Sequence, residues 1–179
     1  ISYEQGLYYR GIIKGDANST ESFNFFKNEF NGIISNSKLK NLVIGRIDTK
    51  NNLSDYIVYS DNDMKIQKNI QCHTKESDIK PILNTKKNTK SISQKCVTMY
   101  FEIDYDLFLD NGSNTTTTTN WMTSVFNNVQ TLYANDGINI SLKSVYIWTT
   151  QDPFEGIGDE SSDYLYKFND VRPVFDADV

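Results

Sequence analysis

One helical stripe set between two strand patterns constrains the fold more than any other feature of the sequence. Met122, Val125, Phe126, Val129, Leu132 and Tyr133 recur at steps of three and four, which gathers apolar side chains on one face of a helix. Ahead of it, Val97, Met99, Phe101 and Ile103 alternate with Thr98, Tyr100 and Glu102, the period of a strand. Behind it, Ile138, Ile140 and Leu142 alternate, and Val145, Ile147 and Trp148 continue with the parity changed, which predicts a bulge. Asn135-Asp136-Gly137 supplies the helix stop, glycine being suited to a left-handed C-cap. The Thr115–Thr119 run makes a poor helix interior and offers N-caps. Leu165, Phe168 and Val171, three apart, predict a short second helix closed by Pro173. Strand, helix and strand at this spacing form a βαβ unit with a right-handed crossover and two parallel strands. One such unit cannot cover both faces of its sheet. Residues 96–179 are therefore expected to want further chain after Val179, and the sequence reads as part of a longer protein.

Residues 1–66 follow a different rule. Leu7, Tyr9, Gly11 and Ile13 share one parity, and Lys14 to Ser19 is a turn cluster. Phe23 and Phe25 mark a second strand, Gly32-Ile33-Ile34 a third, Leu42 to Gly45 a fourth and Tyr56 to Tyr59 a fifth. Asn51 to Asp55 separates the last two as a hairpin loop. The expectation is an antiparallel meander, and for the whole chain an α+β class. Tyrosine and phenylalanine, at 11 and 10 residues, suit half-buried sheets.

Between the two organised parts, residues 67–95 are dominated by Lys, Asn, Ser, Thr and Gln, with Ile79 to Leu83 the one apolar island. That composition reads as an exposed linker, a domain boundary and a candidate cleavage site. Cys72 and Cys96 flank it. They can close the loop as a disulfide, stay as buried free thiols, or provide in Cys72 a thiolate ligand for a zinc ion held by a neighbouring domain.

Net charge of -5 argues against a nucleic-acid partner, whose phosphates would be repelled, and no apolar run is long enough to span a bilayer. The single histidine, His73, falls in the polar linker and is expected in solvent. Catalytic zinc usually takes three protein ligands, mostly histidine, so this chain by itself is not expected to build a zinc-hydrolase site. Asp104, Asp106, Asp110, Asp152, Glu155, Asp159, Glu160 and Asp163 show no spacing that selects a catalytic pair. Asp104-Tyr105-Asp106 reads as a solvated strand end. Glu102, in mid-strand, reads as an exposed face residue or as a metal ligand. There is no glycine-rich phosphate loop and no nucleophile elbow.

Two stretches resemble the reprolysin (adamalysin) family of metzincin proteases, the bacterial secreted branch more closely than the animal one. The first is Tyr8-Tyr9-Arg10-Gly11 with Gly15-Asp16-Ala17-Asn18-Ser19, then Gly32-Ile33-Ile34 and Tyr56-Ile57-Val58-Tyr59, similar to the propeptide pattern of that family. The second runs from Val97-Thr98-Met99-Tyr100-Phe101-Glu102-Ile103-Asp104 through the helix with Phe126 to Tyr133, then Gly137 to Leu142, Val145 to Trp148, and Phe168. It is similar to the opening strand, first helix and second strand of the catalytic domain.

The resemblance implies a propeptide-like β domain at 1–66, a linker with a cysteine switch at 67–95, and the N-terminal half of a metzincin-like catalytic domain at 96–179. It implies a secreted zinc metalloendopeptidase zymogen acting on protein or peptide substrates. The missing partner would be the rest of the catalytic domain, with the His-Glu-x-x-His-x-x-Gly-x-x-His helix that this sequence lacks. Cys72 stands at the place of the cysteine switch, although the family's following glycine is here His73. Glu102 matches a first-strand glutamate that helps hold a structural calcium, and Asp178 falls near a second ligand of that site. The rival expectation is a non-catalytic secreted binding or adhesion module that uses its tyrosine-rich sheet. A third is a cleaved piece that stays bound to its other half as a stable inhibitory or structural chain.

Overall fold

A computed structural model describes residues 3–49, 51–65, 96–158 and 160–179. Residues 66–95, which hold the expected linker and cysteine switch with Cys72 and His73, lie outside the described residues.

The first half is the expected meander. Strands β1 (Leu7–Gly11), β2 (Thr20–Phe25), β3 (Phe30–Asn36), β4 (Lys40–Arg46) and β5 (Tyr56–Ser60) pair antiparallel in that order. The turn between β1 and β2 is held by Ser19 and Asp16: the Ile13 N–H donates to Ser19 Oγ at 2.7 Å, and Ser19 Oγ donates to the Asp16 carbonyl at 2.7 Å. At Gly32 in β3, a Cβ would stand 2.7 Å from the Ser22 carbonyl and against the ring of Phe23. Glycine is needed there because the neighbouring ring lies across the backbone.

The second half contains β6 (Cys96–Ile103), α1 (Tyr105–Asp110), α2 (Thr115–Asn135), β7 (Asn139–Ile147) and α3 (Ser161–Val171). β6 and β7 are parallel, with a register shift after Met99 that pairs Met99 with Leu142 and Tyr100 with Ser144. The expected bulge thus falls at Lys143. α2 ends where the sequence stops it: Gly137 has φ +75°, and the Ile138 N–H returns to the Tyr133 carbonyl at 2.9 Å. Its start lies earlier than the threonine run suggested. Asn114 caps Thr116 and Thr117, and the hydroxyls of Thr118 and Thr119 donate to the carbonyls of Asn114 and Thr115. Back-bonding to the preceding turn lets threonine sit inside a helix.

The sequence reading missed α1. Asp104, expected at a solvated strand end, is its N-cap and accepts from the Leu107 N–H at 2.8 Å. An aspartate in extended backbone satisfies the free N–H groups of a first turn, so the strand stops there because a helix begins. Asp152 holds α1 from the loop after β7, accepting from the Tyr105 N–H at 2.6 Å and the Phe154 N–H at 2.7 Å.

Every buried hydrophobic side chain among the described residues belongs to the second half. Met122 and Phe126 of α2 pack on Ile103 and Ile140, with Val97, Met99, Phe101, Val129, Leu142, Val145 and Ile147 around them. Each full burial of this kind contributes roughly 1.5–3 kcal/mol. α3 buries none of its residues, and Leu165 is exposed rather than part of an inward stripe.

Candidate functional site

Thr98, Tyr100 and Glu102 share one face of β6, and the chain after β7 folds back over that face. Glu102 is expected from the sequence as an exposed face residue or a metal ligand; its side chain is only 3% exposed. Three donors surround the carboxylate. Trp148 Nε1 donates to Oε1 at 2.6 Å, while Tyr100 Oη and Arg172 Nε donate to Oε2 at 2.8 and 2.9 Å. Trp148 comes from the end of β7 and Arg172 from the C-terminus of α3, so the pattern of β6 alone could not reveal the burial. The Arg172 guanidinium also lies 5.0 Å from the Tyr146 ring centre and 5.5 Å from that of Trp148. Burial is the largest cause raising the Tyr100 hydroxyl above its ordinary value; Arg172 opposes that rise, and Glu102 adds to it.

Tyr100 also begins an aromatic run. Its ring stacks on Phe175 at 5.5 Å and lies 6.2 Å from Phe168. The backbone after Phe175 then reaches the edge of β6 that β7 leaves free. Asp178 and Val179 N–H groups donate to the Thr98 carbonyl at 3.0 and 3.1 Å, and the Tyr100 N–H donates to the Val179 carbonyl at 2.8 Å. One residue bonded to partners on either side of its neighbour is the parallel-ladder pattern. Val179 thus pairs beside Met99 and places β6 between β7 and a third parallel segment.

Asp178 does not join Glu102. Its Oδ2 accepts from Thr98 N and Thr98 Oγ1, each at 2.8 Å. Thr98 is four residues before Glu102, roughly 13 Å along a strand rising about 3.3 Å per residue. Calcium binds its oxygen ligands at about 2.3–2.6 Å, so one ion cannot be shared by carboxylates held at these two places. The groups around Glu102 are proton donors, not further oxygen ligands, and the arrangement does not fit calcium.

Zinc finds no seat among the described residues either, where no group of three or more His, Cys, Asp or Glu is placed to hold a metal. Cys96 is exposed at the start of β6 and bridges to no other described residue; its disulfide alternative, Cys72, lies outside the described residues.

The second constellation joins the two halves. On α2, the stripe Asn120, Ser124, Asn127 and Thr131 faces away from the apolar core. Asn127 Nδ2 donates to Ser22 Oγ and to Asn24 Oδ1, both at 2.8 Å. Asn24 Nδ2 donates to Asn31 Oδ1 at 2.7 Å, and Asn31 Nδ2 to Ser124 Oγ at 3.1 Å. Ser22, Asn24, Ser124 and Asn127 are all buried. At the margins, Tyr3 Oη donates to Asn120 Oδ1 at 3.0 Å and Asn135 Nδ2 to Thr20 Oγ1 at 2.9 Å. Burial pushes the Tyr3 hydroxyl up to about 12, with Thr123 opposing and Tyr8 adding to the rise. The face of β2 that carries Phe23 and Phe25 therefore turns outward. Tyr9, Phe25, Phe30 and Tyr56 form a run of ring contacts there, with Phe30 and Tyr56 stacked at 4.3 Å.

No helix among the described residues is long and apolar enough to cross a membrane. A search of curated proteins finds no match. Residues 95–175, from the start of β6 to the aromatic run over it, match the family model described as reprolysin (M12B) family zinc metalloprotease. The stretch that builds the Glu102 site is therefore similar to the reprolysin (M12B) family of zinc metalloproteases.

Proposed function

We propose that this chain is the latent part of a secreted zinc metalloendopeptidase, with residues 1–66 the end of an inhibitory propeptide and residues 96–179 the first half of the catalytic domain. The observation that carries this reading is how the two halves meet. Among the described residues the fully buried hydrophobic side chains all lie in the second half, while the two halves are joined by a chain of hydrogen bonds from Ser22, Asn24 and Asn31 to Ser124 and Asn127. Water can take over hydrogen bonds once an interface opens, so each contributes only about 0.5–1.5 kcal/mol net. An apolar core has no such substitute. A sheet seated in this way can leave without unfolding what it covers.

The family match supports zinc dependence and protein or peptide substrates for the intact enzyme. Zinc supplies Lewis-acid activation of water in such enzymes. The described residues have no seat for it, so no catalytic step is assigned to them; they supply scaffold and cover. Cys72 is the proposed latch, since a thiolate is a strong zinc ligand.

The test uses the natural protein that contains this chain, loaded with zinc and cut within residues 66–95. Peptidase activity that appears only after the cut and removal of the sheet supports the proposal. A zinc-free protein that never cleaves peptide rejects it. The outward aromatic run through Tyr9, Phe25, Phe30 and Tyr56 favours a second reading in that event, a secreted binding module whose sheet meets carbohydrate or protein.

A further inference from the structure

We infer that Glu102, Tyr100, Tyr146 and Trp148 form a guanidinium-binding cage, filled by the chain's own Arg172, which serves this module as a built-in cation in place of a metal ion.

Three observations carry it. The Glu102 side chain is 3% exposed, and a buried carboxylate left without partners is strongly disfavoured. Its oxygens receive an indole N–H, a phenol O–H and a guanidinium N–H. A divalent ion would need oxygen ligands where this site has Trp148 and Arg172, both of which present hydrogen to the carboxylate. The rings of Tyr146 and Trp148 flank the guanidinium at 5.0 and 5.5 Å, the distance at which an aromatic face attracts a cation. Guanidinium suits such a place better than ammonium because it is planar, weakly hydrated and able to stack.

The position of Arg172 in the chain gives the cage its purpose. Arg172 is the C-cap of α3, its N–H donating to the Phe168 carbonyl at 2.7 Å, and a cation is favoured at that end of a helix. From this one residue the backbone is tied to α3, the carboxylate to β6 and the rings to β7. Pro173 follows, and the chain then runs under Tyr100 by way of Phe175 to pair at Thr98. The cage thus sets where the chain leaves α3 and which edge of β6 it reaches.

The experiment compares the full chain with Arg172→Met, which keeps an apolar stem but no charge or donor, and Arg172→Lys, which keeps the charge without the planar fork. Thermal unfolding is followed by tryptophan fluorescence with calcium, with a chelator, or with millimolar methylguanidinium. The parent chain is expected to melt at the same temperature with calcium and with chelator. Arg172→Met is expected to melt several degrees lower and to recover part of that loss in methylguanidinium but none in calcium; Arg172→Lys is expected to fall between. A calcium-dependent rise in the parent chain, or rescue of Arg172→Met by calcium, would overturn the proposal. So would an Arg172→Met chain as stable as its parent. If Arg172→Met does not fold, the test rests on Arg172→Lys, where a response to calcium rather than to methylguanidinium is the contrary result.

Discussion

Asp178 holds Thr98 twice through a single oxygen: Oδ2 accepts from the Thr98 N–H and from its hydroxyl, each at 2.8 Å. The Thr98 backbone bond, then its hydroxyl, and then Lys143 hold the Asp178 carboxyl below its ordinary value of 3.8. Since the folded value is the lower one, the contribution to stability is present above the ordinary value and is lost as pH falls through the depressed folded value. Amide exchange at Thr98 and Tyr100 should therefore stay slow at mildly acidic pH and quicken only once the pH drops below the usual aspartate range. Asp178→Ala should quicken both at neutral pH. The pair is exposed, so the global melting temperature should move little.

Asn127 is the keystone of the contact between the halves. Asn127→Ala removes the donor to Ser22 Oγ and Asn24 Oδ1, two buried acceptors. Each buried group left without a partner costs about 1–3 kcal/mol. Urea unfolding should show a loss within that range or somewhat above it, and the sheet should gain protease sensitivity before the βαβ half does. Equal sensitivity of the two halves would mean that the interface is not where the molecule opens.

Met122 is 2% exposed in the core of the second half. Met122→Ala should cost about 2–5 kcal/mol, as large-to-small changes in packed cores do. Near-UV circular dichroism should lose signal with the fold, since Phe126 and Phe101, in edge-to-face contact at 5.9 Å, border the same core.

Gly32 is the position in the meander least tolerant of a side chain. Gly32→Ala would put a Cβ 2.7 Å from the Ser22 carbonyl and against Phe23, forcing β2 and β3 apart. A clear drop in melting temperature is expected, whereas Gly45→Ala, with nothing near its Cβ, should be tolerated.

The strands and α2 were legible because each follows one period over many residues, and the bulge at Lys143 because a parity change is visible in Ile138 to Trp148. α1 was not, since Asp104 ends a strand pattern and caps a helix with the same residue. The burial of Glu102 was out of reach for a different reason. Alternation tells which residues share a face but not what covers that face, and here the cover arrives from Trp148 and Arg172, far along the chain. The same blindness applies to β2, where Phe23 and Phe25 look like the inward face while Ser22 and Asn24 are buried. A polar partner on α2 reverses the usual assignment, and only the fold brings Asn127 to them.

The most direct test of the central claim is the zinc content of the natural protein that contains this chain, purified without chelators and measured by mass spectrometry of the metal against protein concentration. The account predicts one zinc ion per polypeptide, retained while the sheet of residues 1–66 is attached. A protein purified intact with no zinc, and unable to take it up, would contradict the reading of this chain as the latent part of a metalloprotease.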